Sequence, residues 1–254
     1  MTADDFIQEL GLPESTRLNQ RVPKKLLAEH GAATASDKRQ IQDGVDEIVW
    51  LAALKPHLIG VPAFQDEVRH YVELAVLRLA LKPSAKLGRL AELLHRAVPY
   101  PVLLLTSSGD GLSVSLAHLR ASQNEADKSV LDGELLTVML PTDGAADNFL
   151  SAMALARQPQ ADLYALYQGW MDSVDALDIA ADTGCFQPSL NREQAVARHA
   201  ALQQSRQLQS RMAQLRALAE KEKQLPRQVA LNQELRASQA ELAALQRTLV
   251  GETS

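Results

Sequence analysis

The sequence predicts an α+β protein: a small, mainly antiparallel sheet with helices on one face, then further helices and a long, amphipathic, coiled-coil-like C-terminal arm. Three observations predict it. Apolar runs bounded by Gly and Pro turns concentrate between residues 63 and 144. Apolar residues recur at helical spacing on either side of that block. Leucines occupy a/d positions over roughly the last sixty residues. With 254 residues, 46% of them apolar, the chain can bury a sizeable core. Four segments are expected: a helical segment 1–62, an α+β core 63–144, a helical extension and linker 145–190, and the arm 191–254, kinked near Pro226.

Taken in order, residues 2–30 read as two short helices broken by turn chemistry at Gly11-Leu-Pro13 and Val22-Pro-Lys24, with Gly31 ending the second. Ser36 and Asp37 can cap the next helix, in which Ile41, Val45, Ile48 and Val49 recur at helical spacing until Lys55-Pro56 stops it. A proline-punctuated connection leads into Val68–Leu81. That stretch is apolar in both phases and fits strand or helix; its proline boundaries and the clear helix from Ser84 to Ala97 favour a strand. In that helix Leu87, Leu90, Leu94 and Val98 share a face. Pro101–Ser107, a Gly-Asp-Gly turn at 109–111, and Leu112–Arg120 make a β-hairpin signal, and Glu134–Leu140 supplies another strand. From Ala145 to Ala181 the helical period returns, with Met153, Leu163, Leu166, Tyr167, Trp170 and Val174 as core candidates.

The arm carries two apolar seams. Leu208, Leu215, Leu218 and Leu225 fit one a/d frame, and Leu231, Leu235, Leu242, Leu245 and Leu249 a second, offset by one residue. The phase changes around Pro226, which removes a backbone donor and clashes with the preceding turn. Two helical halves joined by a kink or tight hairpin are therefore expected. Their seams need cover, from the body of the chain, a second copy, or another protein. Asn232 fixes a register if buried and is merely solvated if not.

Charge is distributed unevenly. From Arg192 to Arg247 ten Lys/Arg stand against five Asp/Glu, and Glu252 contributes −1; with a net charge of −5, the residues up to Asn191 carry −9. A basic arm can bind nucleic acid, pair head to tail with an acidic body, or simply present a solvated helix face. Aromatic residues make up only 4%, which argues against modules that stack bases. A single cysteine, Cys185, excludes an internal disulfide, and no run approaches the roughly 20 apolar residues of a membrane span. The N-terminus lacks the pattern of an export signal. A cytoplasmic protein without a membrane partner is expected.

Recognisable chemistry is sparse. The glycines at 109 and 111 precede no Lys-Ser/Thr helix start, so no phosphate loop is expected. Six histidines show no i,i+4 ligand pair, and no metal site, cofactor or catalytic set is expected. The enzyme reading to weigh is a metal-dependent nuclease using Asp66, Glu67 and Glu73, although Ala75 stands where such sites place a Lys two residues after the strand acid. A polar cluster, His118, Arg120, Gln123, Glu125 and Lys128, lies at a strand end and in the segment after it. It could hold a phosphate or form a structural network with Glu125 and Asp127.

Four stretches, Ile48–Pro56, Leu90–Leu105, Ser115–Val130 and Glu222–Asn232, resemble a bacterial domain-of-unknown-function family, number four-three-nine-one. Members often carry another residue where this chain has Pro226, which argues against a straight helix here. The resemblance implies a setting beside helicase and DNA methyltransferase genes, in clusters of the restriction-modification or phage-defence kind. It implies no catalytic residues. The residues within these motifs that could contact a partner or a nucleic-acid backbone are Glu92, His95, Arg96, Tyr100, His118, Arg120 and Lys128. The expected partners are the helicase or methyltransferase of the same cluster, or a second copy through the arm; nucleic acid is the remaining one.

Overall fold

The computed structural model describes residues 2–109, 111–122, 129–141 and 145–251. In chain order the elements are α1 (Ala3–Glu9), β1 (Arg17–Arg21), α2 (Lys24–His30), α3 (Ala35–Gly44), β2 (Val45–Leu54), α4 (Pro56–Ile59), β3 (Phe64–Gln65), β4 (His70–Tyr71) and β5 (Leu74–Leu81). There follow α5 (Leu87–Ala97), β6 (Val102–Ser108), β7 (Gly111–Ala121), β8 (Ser129–Met139), α6 (Ala145–Met153), α7 (Leu163–Thr183), α8 (Arg192–Lys221) and α9 (Leu225–Val250). The chain divides into two compact units, residues 1–174 and 175–254.

The first unit is built on a six-stranded sheet in the order β1-β2-β5-β6-β7-β8, with β3 and β4 forming a separate two-stranded ribbon. Every neighbouring pair is antiparallel except β5 and β6, which run parallel because α5 crosses between them. The predicted β6–β7 hairpin is present, with Ser108 opposite Gly111. The strand reading of the stretch up to Leu81 holds for β4 and β5.

Two strands were missed in the helical segment expected over 1–62. The helix beginning near Ser36 ends at Gly44, and Val45–Leu54 is strand β2. Ile41, Val45, Ile48 and Val49 satisfy a helical period, but this strand is buried on both sides from Ile48 onward and so shows no alternation. The cap of α3 is Thr34 rather than Ser36: its hydroxyl accepts from the Asp37 amide while the Asp37 carboxylate accepts from the Thr34 amide. Strand β1, Arg-Leu-Asn-Gln-Arg, is exposed along its length and carries no apolar signal.

One core lies between the sheet and α2, α3 and α5. Leu27, Ile41, Leu90 and Leu94 pack there on Ile48, Ala75, Leu77, Leu79, Val102 and Leu104. This is the expected helical face. The alternate strand residues Leu74, Val76, Leu103, Leu105, Val114 and Leu116 are equally buried, and a second helical layer supplies Phe6, Phe149, Tyr167 and Trp170 from α1, α6 and α7. The Trp170 indole N–H donates to the Met153 carbonyl.

The second unit is a helical hairpin of α8 and α9 with the end of α7. The break falls at residues 222–224, and Pro226 sits in the first turn of α9, where its missing N–H costs nothing. Ile179, Ala201, Leu202 and Leu249 form its core, with Leu245 against them. Arg198, 2% exposed, closes the open end: its guanidinium donates to the carbonyls of Leu249 and Gln187 and to Ser189 Oγ. Of the predicted seam, Leu215 and Leu249 are buried, Leu208, Leu231, Leu235, Leu242 and Leu245 are half-buried, and Leu218 and Leu225 are exposed. Asn232 is solvated. Among the described residues no helix is long and apolar enough to cross a membrane.

Candidate functional site

The predicted site residues fall into separate places. Glu92 and Arg96 stand on α5 in an ion-pair chain: Arg89 grips the buried Asp37 through two bonds of 2.9 Å and Glu92 through a third of 2.9 Å, and Arg96 closes on Glu92 at 2.6 Å. The Arg89 hydrogen bonds hold the Asp37 carboxyl down to about 2. These groups brace α5 against the start of α3. His95 is 1% exposed, and its Nε2 shares a 3.0 Å hydrogen bond with Ser115 Oγ on β7. Burial keeps this imidazole neutral, its pKa pressed down to about 3. Tyr100 is half-buried against the same core. Of these four, Glu92, Arg96 and His95 are bonded to neighbours within the unit. Lys128, with Gln123 and Glu125, lies outside the described residues.

The strongest constellation forms around His118, where the end of β7 meets β4, β8 and α7. Tyr71 Oη lies 2.6 Å from His118 Nδ1, and Gln168 Oε1 2.9 Å from Nε2. The bonding fixes the tautomer. Gln168 Nε2 donates to the Asp172 carboxylate at 2.8 Å, so Gln168 Oε1 faces His118 and accepts from Nε2–H. Tyr71 Oη accepts from the Leu119 amide and donates its proton to Nδ1. Burial drives the Tyr71 phenol well above its ordinary range, consistent with a permanent donor. His118 stacks on Tyr164 with centroids 4.8 Å apart, and Tyr167 meets it edge-on while its hydroxyl bonds to Val102 and Ala117 backbone groups.

An ionic layer lies outside these rings. Arg69 sits over Tyr164 at 5.6 Å and donates through Nε to Asp132 at 3.0 Å; Arg120 Nε approaches the other Asp132 oxygen at 3.8 Å. Asp66 accepts from the amides of Val68 and Arg69 and pairs with the Arg69 guanidinium at 3.3 Å. Two cations and two carboxylates thus cancel, and the described part of the cluster has no surplus charge for a phosphate. The described acidic neighbour of Arg120 is Asp132, whereas Glu125 and Asp127, the partners expected for a structural network, lie outside the described residues.

The nuclease acids do not meet either. Asp66 caps its own turn, Glu67 is exposed, and Glu73, 7% exposed, pairs with Lys55 at 3.4 Å. Among the described residues no three His, Cys, Asp or Glu side chains stand close enough to share a metal ion. What the sequence did not reveal is the company His118 keeps. Tyr71, Tyr164 and Gln168 come from elements distant in the chain, and the only sequence cue was the polar residue inside an apolar strand.

Against this geometry, a family model described as a domain of unknown function (DUF4391) matches residues 10–242. The curated proteins and the solved structures yield no match.

Proposed function

Because this chain belongs to the DUF4391 family, we propose that it is a non-enzymatic accessory subunit of a bacterial helicase–methyltransferase system of the restriction-modification or phage-defence kind, joined to its partner through the closed end of the α8–α9 hairpin. One observation carries this reading. At that end Leu218, Leu225 and Val229 are 55%, 73% and 51% exposed, on the two sides of the break at residues 222–224. Apolar groups grouped in this way characterise surfaces that are covered on association. The polar groups around His118 and around Asp37, by contrast, are largely paired with one another. The half-buried Leu235, Leu242 and Leu245 hold the hairpin together, so the partner-facing part of the predicted seam is its tip.

Coexpression with the helicase of the same cluster tests the reading. The two should copurify, and Leu218→Asp combined with Leu225→Asp and Val229→Asp should abolish copurification while helicity by circular dichroism is retained. Full copurification of this folded variant would refute it. Self-association of the free chain that the same variant abolishes would show a second copy to be the partner instead.

A further inference from the structure

A cleft of about 780 Å³ opens in the first unit where the sheet corner made by β1, β2 and β5 meets α1. Arg17, Asn19 and Arg21 of β1, Arg78 of β5, Asp4, Ile7 and Gln8 of α1, and Glu47, Val49 and Leu51 of β2 line it. We propose that this cleft binds the phosphate backbone of a nucleic-acid duplex.

Four features point to that ligand. First, the guanidiniums are available. Arg21 and Arg78 meet Glu47 at 3.5 and 3.6 Å, and Arg78 meets Asp4 at 3.4 Å, with Asp4 85% and Arg21 73% exposed. The Arg21–Glu47 and Arg78–Asp4 pairs each have one strongly exposed member, whereas Arg78 and Glu47 are themselves 30% and 33% exposed; long pairs with an exposed member contribute little and exchange readily. Arg89 on Asp37, bidentate at 2.9 Å on a buried carboxylate, is the contrasting locked pair in the same unit. Second, Arg17 is exposed and forms no ion pair among the described residues, so three arginines against Asp4 and Glu47 leave the cleft with a positive surplus. Third, β1 is irregular where these residues sit: its register slips between Arg17 and Gln20, and Asn19 takes a positive φ of 48°. Bulges of this kind re-aim side chains at edges and binding sites. Fourth, no aromatic residue lines the cleft. Single strands are held largely by stacking on aromatic rings, whereas duplex backbones are held by guanidinium and amide contacts alone.

The charge density of a duplex also matters. An isolated carboxylate would exchange like for like with Glu47 or Asp4. A duplex presents one charge per about 1.7 Å of axis and releases condensed counterions when arginines replace them. The site rests on a surface and a chemistry unrelated to the hairpin tip, so either proposal can fail alone.

The test is fluorescence anisotropy of the full chain with a labelled 20-base-pair DNA between 50 and 200 mM KCl. The wild-type chain should bind the duplex. Arg17→Ala with Arg21→Ala and Arg78→Ala should weaken binding at least about tenfold at 50 mM, and should lower the log–log salt slope by nearly 3, about 0.9 for each lost phosphate contact. Glu47→Gln should act in the opposite direction, tightening binding about two- to fivefold by releasing Arg21 and Arg78. Repeating the triple substitution in a chain carrying Arg216→Ala and Arg227→Ala separates this cleft from the basic hairpin; the same slope loss should appear. No binding by the wild type, an unchanged slope in the folded triple variant, weaker binding by Glu47→Gln, or preference for a single strand or for polyglutamate would each overturn the proposal.

Discussion

His95 is an ionisable side chain enclosed at 1% exposure, and among the described residues its side chain hydrogen-bonds to the Ser115 hydroxyl. Its pKa falls from the ordinary 6.5 to about 3 on folding, so between those values the unfolded chain binds the extra proton. Stability is therefore complete above pH 6.5 and declines as pH drops toward 3. Between pH 7 and 5 the loss should be about 2 kcal/mol, read as a falling denaturant midpoint. His95→Gln should be less stable at pH 7 and should lose that slope. The same residue shows what a sequence conceals. A histidine in a polar-looking motif on an amphipathic helix suggested contact with a partner, yet its position on the buried side of α5 makes it a core residue. His118 was legible as a polar residue on a strand. Its holding partners were not, because the β3–β4 ribbon and α7 reach it only in three dimensions.

Local signals were reliable at the end of α2, which Gly31 follows as expected, but not for α3, whose cap is Thr34 rather than Ser36 and whose end is Gly44 rather than Lys55-Pro56. The capping box at Thr34 and Asp37 should be worth about 1 kcal/mol, measurable in Thr34→Ala by chemical denaturation. Gly31 follows α2 for a different reason. A Cβ there would lie 2.6 Å from the Leu93 carbonyl oxygen and 3.0 Å from that of Leu27, both backbone atoms. Gly31→Ala should therefore destabilise by about 1–3 kcal/mol by pushing α2 away from α5; a neutral result would show that α2 shifts freely. Elements without punctuation were hard to read. Strand β2 follows α3 with no intervening turn, Gly44 running directly into Val45, and apolar residues in both phases fit either period. Strand β1 is entirely exposed, so no hydrophobic pattern exists to betray it. The α8–α9 break was legible because Pro226 coincides with a change of leucine phase.

The two units give the molecule two reporters. Both tryptophans, Trp50 and Trp170, belong to residues 1–174, whereas α8 and α9 supply helical signal from residues 175–254. Arg198→Ala strands the Leu249 and Gln187 carbonyls that the guanidinium now satisfies. It should cost the second unit about 2 kcal/mol. The expected outcome is a lower helical transition by circular dichroism with the tryptophan fluorescence midpoint unmoved; a shared shift would mean that the units melt as one. Arg198 has a further consequence for the hairpin it closes. A buried core of Ile179, Leu202 and Leu249 lies at its clamped end, although Val196 and Val250 there are half exposed. Leu218, Leu225 and Val229 at its turn meet water, and none of the residues of that core lies beside them. Amide protons should therefore exchange along a gradient, fastest beside residues 222–224 and slowest near Arg198. A hairpin that frays from its tip can mould its free end to an arriving surface while its base stays latched, and the slowing of exchange at the tip would register the moment of capture.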